Sequence, residues 1–221
     1  QLHEFQGFVS QLTAQGIEVI IYDDPATKVT PDAVFPNNWF STHSDGTLYL
    51  YPMFAPNRRK ERRQEVLDFL TQTHGFSIDR IMDWSKNEEV GLFLEGTGSM
   101  ILDRPNRIIY AALSERTSEE LLKQYAQEIG YALIAFTSYH EVNQKEVLIY
   151  HTNVMLCVAE DYCVVCLECI TNLTERKVVI ESLKKTNKTI IELSLDQVDY
   201  FAGNMLEANN KANESFLIMS S

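Results

Sequence analysis

The feature that most restricts how this chain can fold is an internal repeat with a period of roughly 55 residues. Four stretches read as a short apolar strand, a turn and a second strand: 38–51, 99–111, 153–169 and 204–219. Their turns carry Ser44-Asp45-Gly46, Asp103-Arg104-Pro105-Asn106, Glu160-Asp161 and Asn209-Asn210-Lys211, residue types that reverse a chain between strands. After each of the first three hairpins the apolar period changes from two to about 3.6, as expected of a helix. Helices are predicted over 58–73, 117–129 and 174–185, the second opened by a capping box of Thr117 and Glu120. Strands are then predicted at 76–78, 131–136 and 189–193. The unit is therefore ββαβ.

The ends follow the same frame. Phe5, Phe8, Val9 and Leu12 form a helical stripe, and a strand is predicted over 17–22, which together make the αβ half of a unit. The reading is a single α/β domain over 1–221. It comprises a half-repeat at 1–23, repeats at about 36–83, 94–138 and 150–194, and a hairpin at 201–221. A chain that begins and ends in mid-repeat is expected to lack native polypeptide at both ends.

Composition narrows the function classes. A net charge of −12 opposes nucleic acid and anionic lipid, whose phosphates repel it. No apolar run approaches the ~20 residues of a membrane span, and no secretory signal opens the chain. Cys157, Cys163, Cys166 and Cys169 fall within thirteen residues, the last three on one predicted strand. There, alternation would put Cys163 and Cys169 on one face and Cys166 on the other, which cannot close a tetrahedral metal site. Reduced, structural thiols and a cytoplasmic location are the expectation.

The polar residues before each hairpin recur in step with the repeat: Asn37 and Asn38, then Glu95, then His151 with Asn153, then Asn204. In isolation each has an ordinary explanation, such as a strand-end histidine, a solvated turn glutamate or turn-forming asparagines. Their shared phase argues for function, because equivalent positions in a ring of equivalent units converge on one axis. His3, His43, His74 and His140 lack that phase and read as surface residues. The run Arg58-Arg59-Lys60-Glu61-Arg62-Arg63 reads as a solvated helix face, and Asp83, Glu88 and Glu89 as surface loop charge.

At these residues the chain resembles the pentein superfamily of arginine deiminases, dimethylargininases and amidinotransferases. Four motifs in order carry the resemblance: Asp32-Ala33-Val34-Phe35-Pro36-Asn37-Asn38-Trp39, Leu94-Glu95-Gly96-Thr97-Gly98-Ser99, Tyr150-His151-Thr152-Asn153-Val154 and Phe201-Ala202-Gly203-Asn204-Met205-Leu206. Within that superfamily they look like the citrulline-utilisation hydrolase branch. The resemblance implies a pseudo-fivefold α/β propeller and a cysteine thiolate that attacks the carbon of a guanidino or ureido group. It implies His151 as general acid/base and Glu95 as its partner or a ligand of a substrate nitrogen. Asn37, Asn38, Asn153 and Asn204 would bind substrate, with no metal or organic cofactor. The implied cysteine has no match among residues 1–221.

The deiminases carry Asp at the positions of Asn38 and Asn153. Carboxylates offer only acceptors, which suits a guanidinium, whereas carboxamides offer donors and acceptors without charge. The resulting expectation is a small ureido or guanidino amino acid, with citrulline foremost. The competing readings are an arginine deiminase, dimethylargininase or amidinotransferase, and a non-catalytic propeller that binds a protein or ribosomal partner.

Overall fold

The computed structural model describes residues 2–23 and 30–219, so residue 1 of the predicted half-repeat and residues 220–221 of the last hairpin lie outside it. Helix α1 spans Leu2–Ala14. The first unit contains β1 (Phe40–Thr42), β2 (Thr47–Leu50), α2 (Gln64–Asp68) and β3 (Arg80–Asp83). The second contains the short α3 (Gly96–Ser99), β4 (Ile101–Asp103), β5 (Ile108–Ala112), α4 (Glu119–Ile129) and β6 (Ala132–Phe136). A hairpin of β7 (Tyr139–Val142) and β8 (Lys145–Leu148) follows. The third unit has β9 (Leu156–Val158), β10 (Tyr162–Val165), α5 (Leu173–Lys185) and β11 (Thr189–Glu192). The described chain closes with α6 (Leu195–Asp199), β12 (Leu206–Asn209) and β13 (Ser215–Ile218).

The three units share one topology. In each, the two hairpin strands pair antiparallel, and the strand after the helix returns parallel to the second of them. Each unit therefore has the order ββαβ, and β12 pairs antiparallel with β13. The strands form separate small sheets with no closed sheet among the described residues.

What joins the units is the helix of one packing on the sheet of the unit before. Leu121, Leu122 and Tyr125 of α4 are fully buried in a cluster with Tyr49 and Tyr51 of the first unit. Val179 and Leu183 of α5 are likewise buried with Tyr110 and Phe136 of the second. Each such side chain contributes about 1.5–3 kcal/mol, while Trp39, Leu48, Met53 and Leu67 form a smaller core within the first unit. A buried ring of hydroxyls secures the first junction. The Tyr51 and Tyr125 hydroxyls are hydrogen-bonded to each other, to Ser41 and to His43 Nε2. His43 is thus half-buried, not a surface residue, and burial lowers its pKa. His140 is also half-buried, its Nδ1 3.6 Å from Asp199.

Several boundaries differ from the sequence reading for identifiable reasons. The third strand of the first unit is Arg80–Asp83, downstream of 76–78, because its parallel register to β2 is set by Asp79 N–H donating to Gly46 O. The helix read over 58–73 is a 3₁₀ turn (Arg58–Glu61), then α2, then a π-helical turn (Phe69–Thr73). It breaks at Arg62 and Arg63, which are extended, while Arg62 reaches Tyr51 O and Glu88. Ser118 takes the N-cap position of α4 without a side-chain hydrogen bond, so Thr117 and Glu120 form no capping box, and the Thr117 hydroxyl is buried without a partner. Residues 17–22 join no sheet and lack the ladder that a strand needs; Tyr22 packs instead on Phe69. The cysteine-bearing strand ends at Val165, and Cys166–Cys169 enter a turn, so strand alternation does not govern their placement. All four cysteines are buried free thiols. The β7–β8 hairpin lies outside the repeat pattern. Its turn residues Asn143 and Gln144 have positive φ, but the Asn-Gly signal that marks such turns is absent.

Glu88 is not surface charge. Its carboxylate accepts from the Met53 amide at 2.7 Å and from Arg62 Nη2 at 3.0 Å, tying the loop after β2 to the segment leading to Glu95. No helix among the described residues is long and apolar enough to cross a membrane.

Candidate active site

The turns that precede the hairpins pack against one another. The 3₁₀ turn Pro36–Asn38, α3 and the 3₁₀ turn Thr152–Val154 form one contact zone. Thr152 holds it together: its hydroxyl donates to Ser99 O and accepts from the Ala112 amide at 2.8 Å. Ser99 in turn accepts from Glu95 N–H at 2.9 Å and donates to Arg116 O at 2.8 Å. Repeat phase thus becomes spatial proximity, with each polar residue at the mouth of its own hairpin.

A cleft of about 530 Å³ opens at this zone. Asn37, Asn38, His151, Asn153 and Asn204 all line it. Glu95 does not; it lies fully buried behind the imidazole, with His151 Nε2 2.6 Å from Glu95 Oε2. Glu95 Oε1 accepts from the Phe54 amide at 2.9 Å, and Oε2 also meets Arg116 Nη1 at 3.4 Å. Burial alone would raise the Glu95 carboxyl. The hydrogen bond and charge of His151, the Phe54 amide and Arg116 outweigh it and hold the group below the usual carboxylate range. For His151 burial is the largest influence and lowers the imidazole, only partly offset by Glu95, while Arg116 and Arg58 push the same way as burial.

The pair is therefore a neutral imidazole on a carboxylate. An ionised Glu95 can only accept, so Nε2 carries the proton and Nδ1 keeps the lone pair. Nδ1 lies beside Gly98, where an added Cβ would come within 2.9 Å of it. Such a dyad can take a proton at Nδ1 while the carboxylate stabilises the imidazolium that forms.

Both groups bind protons less readily folded than unfolded, so their contribution to stability is present at neutral pH. It is lost as pH falls from the ordinary imidazole range through the lowered His151 value, and then through that of Glu95. Thermal denaturation from about pH 7 to about pH 5 is expected to show a falling Tm, and His151→Gln a flatter curve. Parallel curves for the two proteins would contradict the assignment.

Two cleft residues escaped the sequence reading. Arg58 is 5% exposed and clamps Glu61 through Nε and Nη2, both at 3.0 Å, while Nη1 donates to Asn38 Oδ1 at 2.8 Å. The basic run is therefore not a solvated face: Arg58, Glu61 and Arg63 are buried. Arg116 stacks over the rings of Tyr150 and Phe54 at the cleft wall. Each arginine stands between the second strand and the helix of its own unit, the same phase signal that singled out Glu95 and His151. Among the described residues no group of three or more His, Cys, Asp or Glu side chains could hold a metal ion.

The mixed α/β fold matches that of pentein-type enzymes. The family model for eukaryotic N,N dimethylarginine dimethylhydrolase matches residues 1–221, and the chain belongs to that family of guanidino-modifying enzymes, hydrolases of C–N bonds. Among solved structures it is similar to ArgZ, an arginine dihydrolase from the ornithine–ammonia cycle in cyanobacteria. The identity is 16% and the TM-score 0.68, over 93% of this chain and 30% of that one. Against the substrate-bound N-terminal domain of ArgZ the identity is 15% and the TM-score 0.67, over 92% and 68% of the two chains. Dimethylarginine dimethylaminohydrolase, as a histidine-to-glycine variant in adduct with S-methyl-L-thiocitrulline, matches at 13% identity and TM-score 0.60, over 92% and 68%. This chain thus spans under a third of full-length ArgZ, and at such identities the likeness is one of fold. The comparison with curated proteins finds no match.

Proposed function

We propose that this chain carries the acid–base half of a hydrolase that cleaves a C–N bond of a ureido amino acid, with citrulline the leading substrate. The observation that carries the reading is the buried His151–Glu95 pair facing a cleft whose lining includes Asn37, Asn38, Asn153 and Asn204. Carboxamides can donate to a ureido carbonyl and accept from its NH groups without burying unpaired charge. Arg116, partly exposed at the cleft wall, is placed to meet the carboxylate of such an amino acid.

Chemistry then runs through a thiol. As sulfur bonds to the ureido carbon, His151 Nδ1 takes the thiol proton and passes it to the amine that leaves as the C–N bond breaks. Water next adds to the carbamoyl thioester, giving its proton through Nδ1 back to the departing sulfur. None of the four cysteines suits that role. Cys163, Cys166 and Cys169 lie in the core of the third unit, and Cys157 lines only the adjoining larger cavity. Burial pushes the Cys157 and Cys163 thiols up to about 11. The thiol is assigned to polypeptide outside residues 1–221. The stacked units support a place within a pseudo-fivefold propeller, and the free thiols a reducing compartment such as the cytoplasm.

An arginine-type substrate is the competing reading, favoured by the family match. The full native protein, assayed on citrulline, arginine and dimethylarginine with ammonia and each product measured, decides between them. Citrulline is expected to have the highest kcat/KM, by about tenfold or more, the worth of one well-placed hydrogen bond to a charged or buried group. Faster turnover of arginine overturns the ureido assignment, and no turnover of any of the three overturns the hydrolase reading.

A further inference from the structure

Arg58 is buried beside Asn38, and the inference drawn from this contact rests on the ureido reading above. An asparagine in a substrate cleft is ambiguous, because its amide can turn either its oxygen or its NH₂ toward a ligand. Here the ambiguity is removed. A guanidinium has only donors, so the group 2.8 Å from Arg58 Nη1 must be the Asn38 oxygen. Arg58 cannot move away, since its other edge is forked onto Glu61, itself 2% exposed, and Nη2 also reaches Asp32 O at 3.4 Å. With Oδ1 taken, Nδ2 is the end of Asn38 left facing Gly98: a Cβ on that glycine would lie 2.5 Å from it. The same Cβ would lie 2.9 Å from His151 Nδ1 and Cε1. The Asn38 NH₂ and the His151 lone pair therefore both lie beside Gly98, and Asn38 and His151 themselves line the cleft.

We propose that Arg58 locks the Asn38 amide with its NH₂ toward the reacting group, so that the site offers a donor to a ureido oxygen where a freely turning amide could offer an acceptor to a guanidinium. The buried Arg58–Glu61 clamp thus acts on substrate choice without touching the reacting atoms.

The test uses the full native protein and reads selectivity, not activity alone. Arg58→Met in a Glu61→Gln background removes the donor without stranding a buried carboxylate, and Glu61→Gln alone is its control. The ratio of kcat/KM, and of calorimetric Kd, for citrulline against arginine is expected to fall about tenfold in the double variant relative to the control. Equal losses on both substrates, carried in KM, would mean that Arg58 serves only a part common to both, and the inference is overturned. Wild-type protein that prefers arginine removes the ureido reading, whereas an unshifted ratio removes the lock; the two results are read from different proteins. Should the double variant not fold, nuclear Overhauser contacts in wild-type protein labelled at asparagine nitrogen answer directly. Contacts from the Asn38 NH₂ to Gly98 Hα support the lock, and contacts to the Arg58 side chain in their place overturn it.

Discussion

Replacing Glu95 by Gln is expected to lower kcat of the full native enzyme by about 10³-fold while leaving the fold in place, which steady-state kinetics beside a thermal melt can establish. The substitution is isosteric, yet it inverts a hydrogen bond at the most buried point of the site. Glu95 has two acceptor oxygens, and three donors address them: the Phe54 amide, His151 Nε2 and Arg116. A glutamine has one oxygen and one NH₂. If its oxygen stays with the Phe54 amide, the NH₂ confronts His151 Nε2 and the guanidinium of Arg116. The imidazole must then move its proton to Nδ1, which loses the lone pair that the reaction needs.

The alternative orientation is no better, because it sets the NH₂ against the Phe54 amide and leaves two buried donors facing each other. Either way the carboxylate charge that stabilises an imidazolium is gone. The acid limb of the pH–rate profile, already displaced downward by the burial of His151, is expected to move further down in the variant. A variant with kcat within tenfold of wild type would mean that Glu95 is only a structural anchor for residues 53–54.

The same residues show which parts of the site a sequence discloses. Repeat phase located His151, Asn38, Asn153 and Asn204, because stacked units carry equivalent turns to one place whatever the details of the helices between them. It located Glu95 without showing that the carboxylate lies behind the histidine, a matter of depth that periodicity does not encode. Arg58 and Arg116 share that phase but were lost for a different reason. A run such as Arg58–Arg63 carries so much charge that it reads as solvated, and only pairing, Arg58 to Glu61 and Arg62 to Glu88, makes burial tolerable. Pairing between elements is tertiary information. So are the end of the cysteine-bearing strand at Val165, which lies within an unbroken apolar run, and the absence of a ladder for residues 17–22.

The architecture also explains why the site tolerates so much buried polarity. The turns at the cleft are held by hydrogen bonds between adjacent units: Thr152 to Ser99, Asn37 to Thr97, Glu95 to Phe54. Helix packing between units, with Tyr125 on Tyr49 and Leu183 near Tyr110, supplies the apolar burial that keeps those turns in register. The fold and the cleft share the same unit-to-unit junctions, so a change at a junction is felt at the cleft.

Gly98→Ala should separate the two. Gly98 has no positive φ, so an alanine is allowed by the backbone, and the obstacle is space alone. Its Cβ would come within 2.5 Å of Asn38 Nδ2 and 2.9 Å of His151 Nδ1 and Cε1, closer than real contacts permit. Both neighbours are side chains bordering an open cleft, so they can yield by turning into it. The fold is expected to survive, with a loss of about 1–3 kcal/mol for local overpacking, while kcat/KM falls about 100-fold, because a displacement on the order of 1 Å in reacting groups suffices for that. Gly96→Ala serves as the contrast. There φ is +46° and the added Cβ would lie 2.1 Å from the backbone oxygen of Asn37, which cannot turn aside, so a global loss of stability is expected. Chemical denaturation and kinetics on both variants distinguish the cases. A Gly98→Ala enzyme with wild-type kcat/KM would show that Asn38 and His151 do not need their positions beside Gly98, and would count against both as residues of the reacting site.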